Sequence, residues 1–200
     1  MSKHEEVKIR WEYEGKTDVI NGTGAYFEER MLGYSGAAIV TLLMLYLQFT
    51  GYTDWTWWQL LIASYISFDL GGGFMSNSLN SVIRFYETPY KEGEGKSAKY
   101  LKNDWIYNGM HFHPLIVGLV FNNDWVYAIG WQVIFFGSLA VVAITPQYLK
   151  RPISRLLTLL AIIISLYFLQ SVPGFEWFIP LIFIKMVMGH MVREEPYDKM

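Results

Sequence analysis

The chain contains no cysteine. Disulfides, thiolate metal ligands and thiol nucleophiles are therefore excluded, and the redox state of its compartment cannot be inferred. It also lacks a basic excess: 16 Lys and Arg stand against 18 Asp and Glu, for a formal net charge of −2. Phosphate neutralisation needs clustered Lys and Arg, so this balance argues against a nucleic-acid partner. No Walker loop, dinucleotide fingerprint, GxSxG elbow or HExxH pair is present, which leaves nucleotide-driven transport and the common hydrolases without support. Residues 1–30 mix both charge signs and lack the basic start and short apolar core of a cleavable signal peptide, so the chain is expected to keep its N-terminus. The most telling absence is local, because Asp, Glu, Lys and Arg are missing from long runs.

Those runs are rich in what the chain does have, 52% hydrophobic and 18% aromatic residues. At 1.5 Å per helical residue they are long enough for a hydrocarbon core of roughly 30 Å. They predict an all-α membrane protein, a polytopic bundle of about six transmembrane helices. The spans fall near 31–53, 56–83, 105–121, 125–145, 156–172 and 177–192, within a bundle over 31–192 that follows a cytoplasmic segment 1–30 and precedes a tail 193–200. Trp55, Trp57 and Trp58 form an interfacial aromatic cluster before the second span, and Asn122-Asn123-Asp124 and Pro173-Gly174 are turn signals. The alternation over Val7 to Tyr13 suggests a short strand or interfacial segment, and Asn21-Gly22-Thr23-Gly24 a flexible break.

The distribution of basic residues tests the span count. Lys3, Lys8, Arg10, Lys16 and Arg30 lie in the head; Arg84, Lys91, Lys96, Lys99 and Lys102 between spans two and three. Lys150, Arg151 and Arg155 lie between spans four and five, and Arg193 and Lys199 in the tail. The turns at Thr53-Asp54, Asn122 to Asp124 and Pro173 to Glu176 carry none, so every basic residue but Lys185 falls on one side. This predicts cytoplasmic N- and C-termini, with four spans plus a re-entrant pair as the competing arrangement. Minimal outer turns direct attention to the core and the inner face, and suggest a bacterial plasma membrane.

Ionisable groups at membrane depth are costly and usually mark function. On a helical wheel Asp69, Gly73, Ser76, Asn77, Asn80 and Arg84 share one stripe of the second span, deepening from the cytoplasmic face. Gly71-Gly72-Gly73 beside the acid would admit a close neighbour or let the helix unwind. Lys185, near the centre of the sixth span, matches Asp69 in depth, and a purely structural ion pair is the competing explanation. His111, His113 and His190 are also embedded. Their imidazoles suit metal binding, proton transfer or a single hydrogen bond. Positions two apart point to opposite helix faces, so His111 and His113 can share a ligand only if the helix is distorted, which Pro114 makes plausible.

The candidate assignments follow: Asp69, His113 and His190 as acid–base groups; Ser76, Asn77, Asn80, Arg84 and Lys185 as substrate-binding groups; His111, His113 and His190 as metal ligands. The embedded histidines and acids resemble those of the histidine-rich membrane desaturases and hydroxylases, a likeness that implies two bound irons. This chain lacks the HxxxH and HxxHH boxes of those enzymes, and no cofactor is assigned. Three functions compete. The first is a small membrane enzyme or lipid-handling protein at the cytoplasmic leaflet, with Arg84 holding an anionic lipid head group. The second is a proton-coupled carrier or channel for a small solute, in which Asp69 and Lys185 exchange partners. The third is an accessory subunit that docks a partner through its polar stripe.

Overall fold

The protein was analysed as a computed structural model that describes residues 8–18 and 20–199. The expectations resting on Lys3 and Val7 lie outside those residues. The chain is mostly helical. A two-residue hairpin pairs β1 (Thr17–Asp18) with β2 (Gly22–Thr23), antiparallel. Gly22 and Gly24 hold φ of 71° and 67°, so the segment expected to be a flexible break is a built turn in the left-handed conformation that glycine adopts at no steric cost.

Helix α1 (Phe27–Phe49) begins where the Glu29 carboxylate accepts the Tyr26 N–H at 2.9 Å, and its other oxygen accepts the Ser81 N–H at 3.0 Å, tying α1 to a later segment of the chain. Helix α2 (Trp57–Ser76) starts with a capping box in which Gln59 accepts from the Thr56 N–H at 2.9 Å. The two helices lie in backbone contact. A methyl group placed on either Gly36 or Gly71 would strike the other's carbonyl oxygen, and one on Gly72 would crowd Ala37. The triglycine therefore packs α2 against α1, and α2 stays helical through it.

The second predicted span does not run unbroken. Helix α2 stops at Ser76, and α3 (Asn80–Glu87) begins after an extended Leu79. Short polar side chains cause the break by taking backbone partners: Ser78 Oγ donates to Met75 O at 2.7 Å, and Asn77 Nδ2 donates to Lys185 O at 2.6 Å. The third predicted span is broken too. After α4 (Lys96–Leu101) come α5 (Asp104–Gly109) and α6 (His113–Phe121), with Met110 to Phe112 outside either helix and Pro114 in the first turn of α6. Proline suits that position because its missing N–H has no partner to lose there.

Helix α7 (Trp125–Ile144) is capped by Asp124, which accepts the Tyr127 N–H at 2.9 Å. Helix α8 spans Gln147–Tyr167, so the basic stretch Lys150-Arg151-Pro152, expected as a loop, is helical. Its buried face is small and polar: Ser154, Thr158, Ala161 and Ser165. Helix α9 (Phe178–Ile182) continues into a π-helix over Phe183–His190, whose wider turn is a device found mostly at functional positions. The core lies among α2, α7, α9 and the π-helix, with Trp131, Phe135, Phe178 and Phe183 fully buried.

Helices α1 and α7 are long and apolar enough to cross a membrane. The outward faces of α1, α2, α7 and α8 are apolar, with Leu42 62%, Tyr65 71%, Val133 65% and Leu166 64% exposed. The ends of the molecule differ. At one end the N-terminal segment, the 88–102 loop and the tail interlock: Arg10 N–H donates to Pro196 O at 3.0 Å, Asp198 N–H to Lys8 O at 2.8 Å, and Lys91 lies 3.6 Å over the Tyr13 ring. At the other, the three turns free of basic residues meet, with Tyr52 hydroxyl donating to Glu176 at 3.1 Å and Trp55 packed on Phe121 and Phe175.

Candidate functional site

Three broken or distorted elements converge on one cluster. Helix α2 presents Asp69 about two turns before its end at Ser76, the α5–α6 break presents His111 and His113, and the π-helix presents Lys185. Lys185 Nζ donates to Asp69 Oδ2 at 2.7 Å and lies 3.3 Å from His111 Nε2, while His113 Nε2 lies 3.5 Å from the same Asp69 oxygen. His111 Nδ1 is 2.8 Å from Tyr107 O, a carbonyl that can only accept. The ring proton therefore sits on Nδ1, and Nε2 is left as an acceptor for the ammonium. The carbonyl of His111, freed by the break, accepts from Gln132 Nε2 at 3.3 Å.

Each departure from regular helix has a local role here. The break before Pro114 brings both imidazoles of an i, i+2 pair to the same carboxylate, with ring centroids 5.3 Å apart. The π-helix exposes the Lys185 carbonyl, which Asn77 bonds, and Gly189 lets Asn77 come close. Gly73 makes room for the lysine: a methyl group there would overlap the end of the Lys185 side chain.

The cluster forms one wall of a cavity of about 340 Å³. On α2 its lining repeats at helical spacing through Tyr65, Phe68, Asp69, Gly72, Gly73 and Ser76, and Asn77, Tyr86, Tyr107 and Met110 complete much of the rest. Lys185 is fully enclosed, whereas the Asp69 side chain is 35% exposed. The exposed lining residues are the apolar Tyr65, Phe68 and Met110, so the mouth opens on the outer apolar surface.

Comparison with protein families, with curated proteins and with solved structures finds no match to this chain. Function must therefore be read from the cluster itself.

Asp69, Ser76, Asn77, Lys185, His111 and His113 all line the cavity; Asn80, Arg84 and His190 do not. Asn80 follows the break in α2, and its Oδ1 accepts the Tyr197 N–H of the tail at 2.7 Å. Arg84 is buried at 3% exposure, and its Nε and Nη1 have no partner among the described residues. His190 stands apart from the other histidines, with the Tyr107 ring packed against both it and His111 at centroid separations of 4.5 and 5.0 Å. Its Nε2 is 3.6 Å from Asp104 Oδ1. The wheel places Asn80 and Arg84 on the site stripe only because it assumes an unbroken helix. Tyr65, Phe68, Tyr86 and Tyr107 were not singled out from sequence, although Tyr65 and Phe68 stand four and one residues before Asp69 on its own helix face.

The three-histidine metal set is not brought together. The residues that do gather are Asp69, His111 and His113, with one donor atom each lying within 4.8 Å of the others. Two imidazoles and a carboxylate can hold iron or zinc. Here, however, the Lys185 ammonium already stands against two of the three donors, and a divalent ion would have to displace it or sit beside a like charge. The donor set does not fit a metal while Lys185 keeps that position, and no step is derived through one.

Proposed function

We propose that this chain is a polytopic membrane protein, of about six crossings with both termini cytoplasmic, that takes a lipid-like substrate from the bilayer and acts on it by acid–base chemistry. The observation that carries the reading is the cavity: its mouth is rimmed by exposed apolar side chains, and its wall holds a carboxylate, two imidazoles and an ammonium. A substrate delivered from water would not need that mouth. Asp69 is the group most open to the cavity and serves as base. His113, on the same Asp69 oxygen, takes and returns the proton, and Lys185 holds the carboxylate in place. The anionic head group loses the residue assigned to it, since Arg84 does not line the cavity.

The membrane reading is supported by the inside-out distribution of side chains. Large apolar residues face outward on four helices while Lys185, His111, His113 and Gln132 are buried, and soluble monomers rarely expose contiguous apolar surface of that extent. The meeting of the basic segments at one end and of the turns free of basic residues at the other supports common sidedness. A carrier is less well supported, because the triglycine leaves α2 helical and packs it against α1.

Since the chain has no cysteine, single-cysteine variants map its topology directly. Ser97→Cys and Lys16→Cys are expected to react with a membrane-impermeant maleimide from the cytoplasmic face only, and Asn122→Cys and Glu176→Cys from the opposite face only. Labelling of all four from one face would overturn the crossing count. For the activity, lipid mass spectrometry of host membranes is expected to show a product with the native chain that Asp69→Asn and His113→Ala abolish. Identical lipid profiles with and without the native chain would overturn the enzymatic reading.

A further inference from the structure

The cavity wall also defines the head group it would accept, an inference that rests on the proposed function and narrows its substrate. Of the lining residues only Asp69 and Lys185 carry formal charge, and they neutralise each other at 2.7 Å. Lys185 has no exposed surface left for a ligand, because its side chain is 0% exposed and its ammonium is engaged by Asp69 and His111. An anionic head would therefore meet no available cation and would face the one carboxylate that is partly open. A cationic head would reach that carboxylate only by bringing a second positive charge close to Lys185, in surroundings that screen poorly.

The unmet hydrogen-bonding capacity is that of an uncharged polar group. Both contacts to Asp69 fall on Oδ2, and Oδ1 takes no hydrogen bond from any described residue although part of the side chain is open to the cavity. His113, at 8% exposure, lines the same cavity, and its Nδ1 is buried with no partner among the described residues. A hydroxyl donates one proton, so it matches a carboxylate oxygen that takes no other hydrogen bond. Beyond the wall the lining turns to Tyr65, Phe68, Tyr107 and Met110, surfaces suited to hydrocarbon.

We infer that the substrate class is an uncharged, hydroxyl-bearing amphiphile, such as a long-chain alcohol, whose O–H donates to Asp69 Oδ1 while its chain runs out past Tyr65, Phe68 and Met110. Asp69 then polarises that hydroxyl, the first requirement for any transfer to its oxygen.

A matched series tests this. Native protein in nanodiscs is equilibrated with radiolabelled tetradecanol, and unlabelled tetradecanol, its methyl ether, tetradecylamine and tetradecyl phosphate compete for it, with empty nanodiscs subtracted. Tetradecanol is expected to compete at least about tenfold better than the other three, because a site built around a hydroxyl is left unpaired by an analogue that lacks one. Asp69→Ala is expected to erase the difference between alcohol and ether. If that variant does not fold, the alcohol-to-ether ratio on the native chain decides alone. Saturable binding without preference for the alcohol, or preference for the amine or phosphate, overturns the hydroxyl assignment and leaves bilayer access standing. Absence of saturable binding by every member of the series overturns both.

Discussion

Among the described residues two lysines are buried against acids, and the two pairs are built differently. Lys102, in the loop region that interlocks with the N-terminal segment, is saturated. Its Nζ lies 2.8 Å from Glu94, 3.1 Å from the Tyr13 hydroxyl and 3.2 Å from each of the Thr88 and Pro89 carbonyls, and both side chains are enclosed, at 6% and 2% exposure. Lys185 is equally enclosed, but its acid is not: part of the Asp69 side chain is open to a cavity, and Oδ1 takes no hydrogen bond from any described residue. A pair with all its valences used locks a loop. A pair with one left over holds something for a ligand.

The largest effect that separates them is thermodynamic. Lys102→Met strands the Glu94 carboxylate in an enclosed site and is expected to cost about 3–5 kcal/mol of stability, read by thermal or denaturant unfolding in detergent. Lys185→Met is expected to cost less, because the Asp69 side chain is partly open rather than enclosed. The same variant removes the cation from among Asp69, His111 and His113, and is expected to bind Co²⁺ with the visible absorption of a tetrahedral site where the native chain binds none. Equal stability losses for the two methionine variants would break the comparison.

Two glycines on one helix sharpen it next. Gly71 abuts the Gly36 carbonyl, which cannot move without shifting α1, so Gly71→Ala is expected to destabilise by about 1–3 kcal/mol. Gly73 faces the flexible end of Lys185. Gly73→Ala is therefore expected to move the lysine off Asp69, abolishing tetradecanol binding with a smaller change in unfolding. If Gly73→Ala bound tetradecanol normally, the pairing of Lys185 with Asp69 would have no role in the site.

Charge inside long apolar runs made the core of this cluster legible. An acid and a base at matched depth in two apolar runs have strong reason to meet, and Pro114 marked where a helix must yield beside His111 and His113. The break at Asn77 to Leu79 was not legible, because Ser and Asn in an apolar run look alike whether they face a neighbour or cut the helix by binding backbone. Asn80 and Arg84 follow that break and so leave the stripe, while His190 lies on the π-helix with the Tyr107 ring packed against it. The Lys102 pair was hidden for the opposite reason: a run such as Lys91 to Lys102 ordinarily reads as a solvated loop, and only folding shows that one lysine and one glutamate in it are enclosed.

Acid provides a finer separation. Burial alone would raise the Glu94 carboxyl, but hydrogen bonds from Lys102, Tyr13 and the Lys91 N–H outweigh it and hold the group below the usual carboxylate range. A depressed folded-state value means that its contribution is complete above the unfolded pKa and is lost as pH falls through the folded one. Glu94→Gln is expected to flatten the acid side of the stability profile and leave the neutral and alkaline side parallel to the native curve. An acid limb of unchanged slope would assign acid sensitivity to another group.

The smallest effect concerns the tail. Asn80 Oδ1 accepts the Tyr197 N–H at 2.7 Å in an exposed setting, and nothing joins that bond to the cavity. Its net value is that of one hydrogen bond open to water, about 0.5–1.5 kcal/mol at most, borne by a terminal segment that can loosen without opening the core. Asn80→Ala should speed hydrogen exchange at the Tyr197 amide, leave global unfolding nearly unchanged and leave tetradecanol binding as it was. A loss of binding comparable to that of Asp69→Ala would join the tail region to the cavity wall as one functional unit, and the contrast between a closed region and an open one would no longer hold.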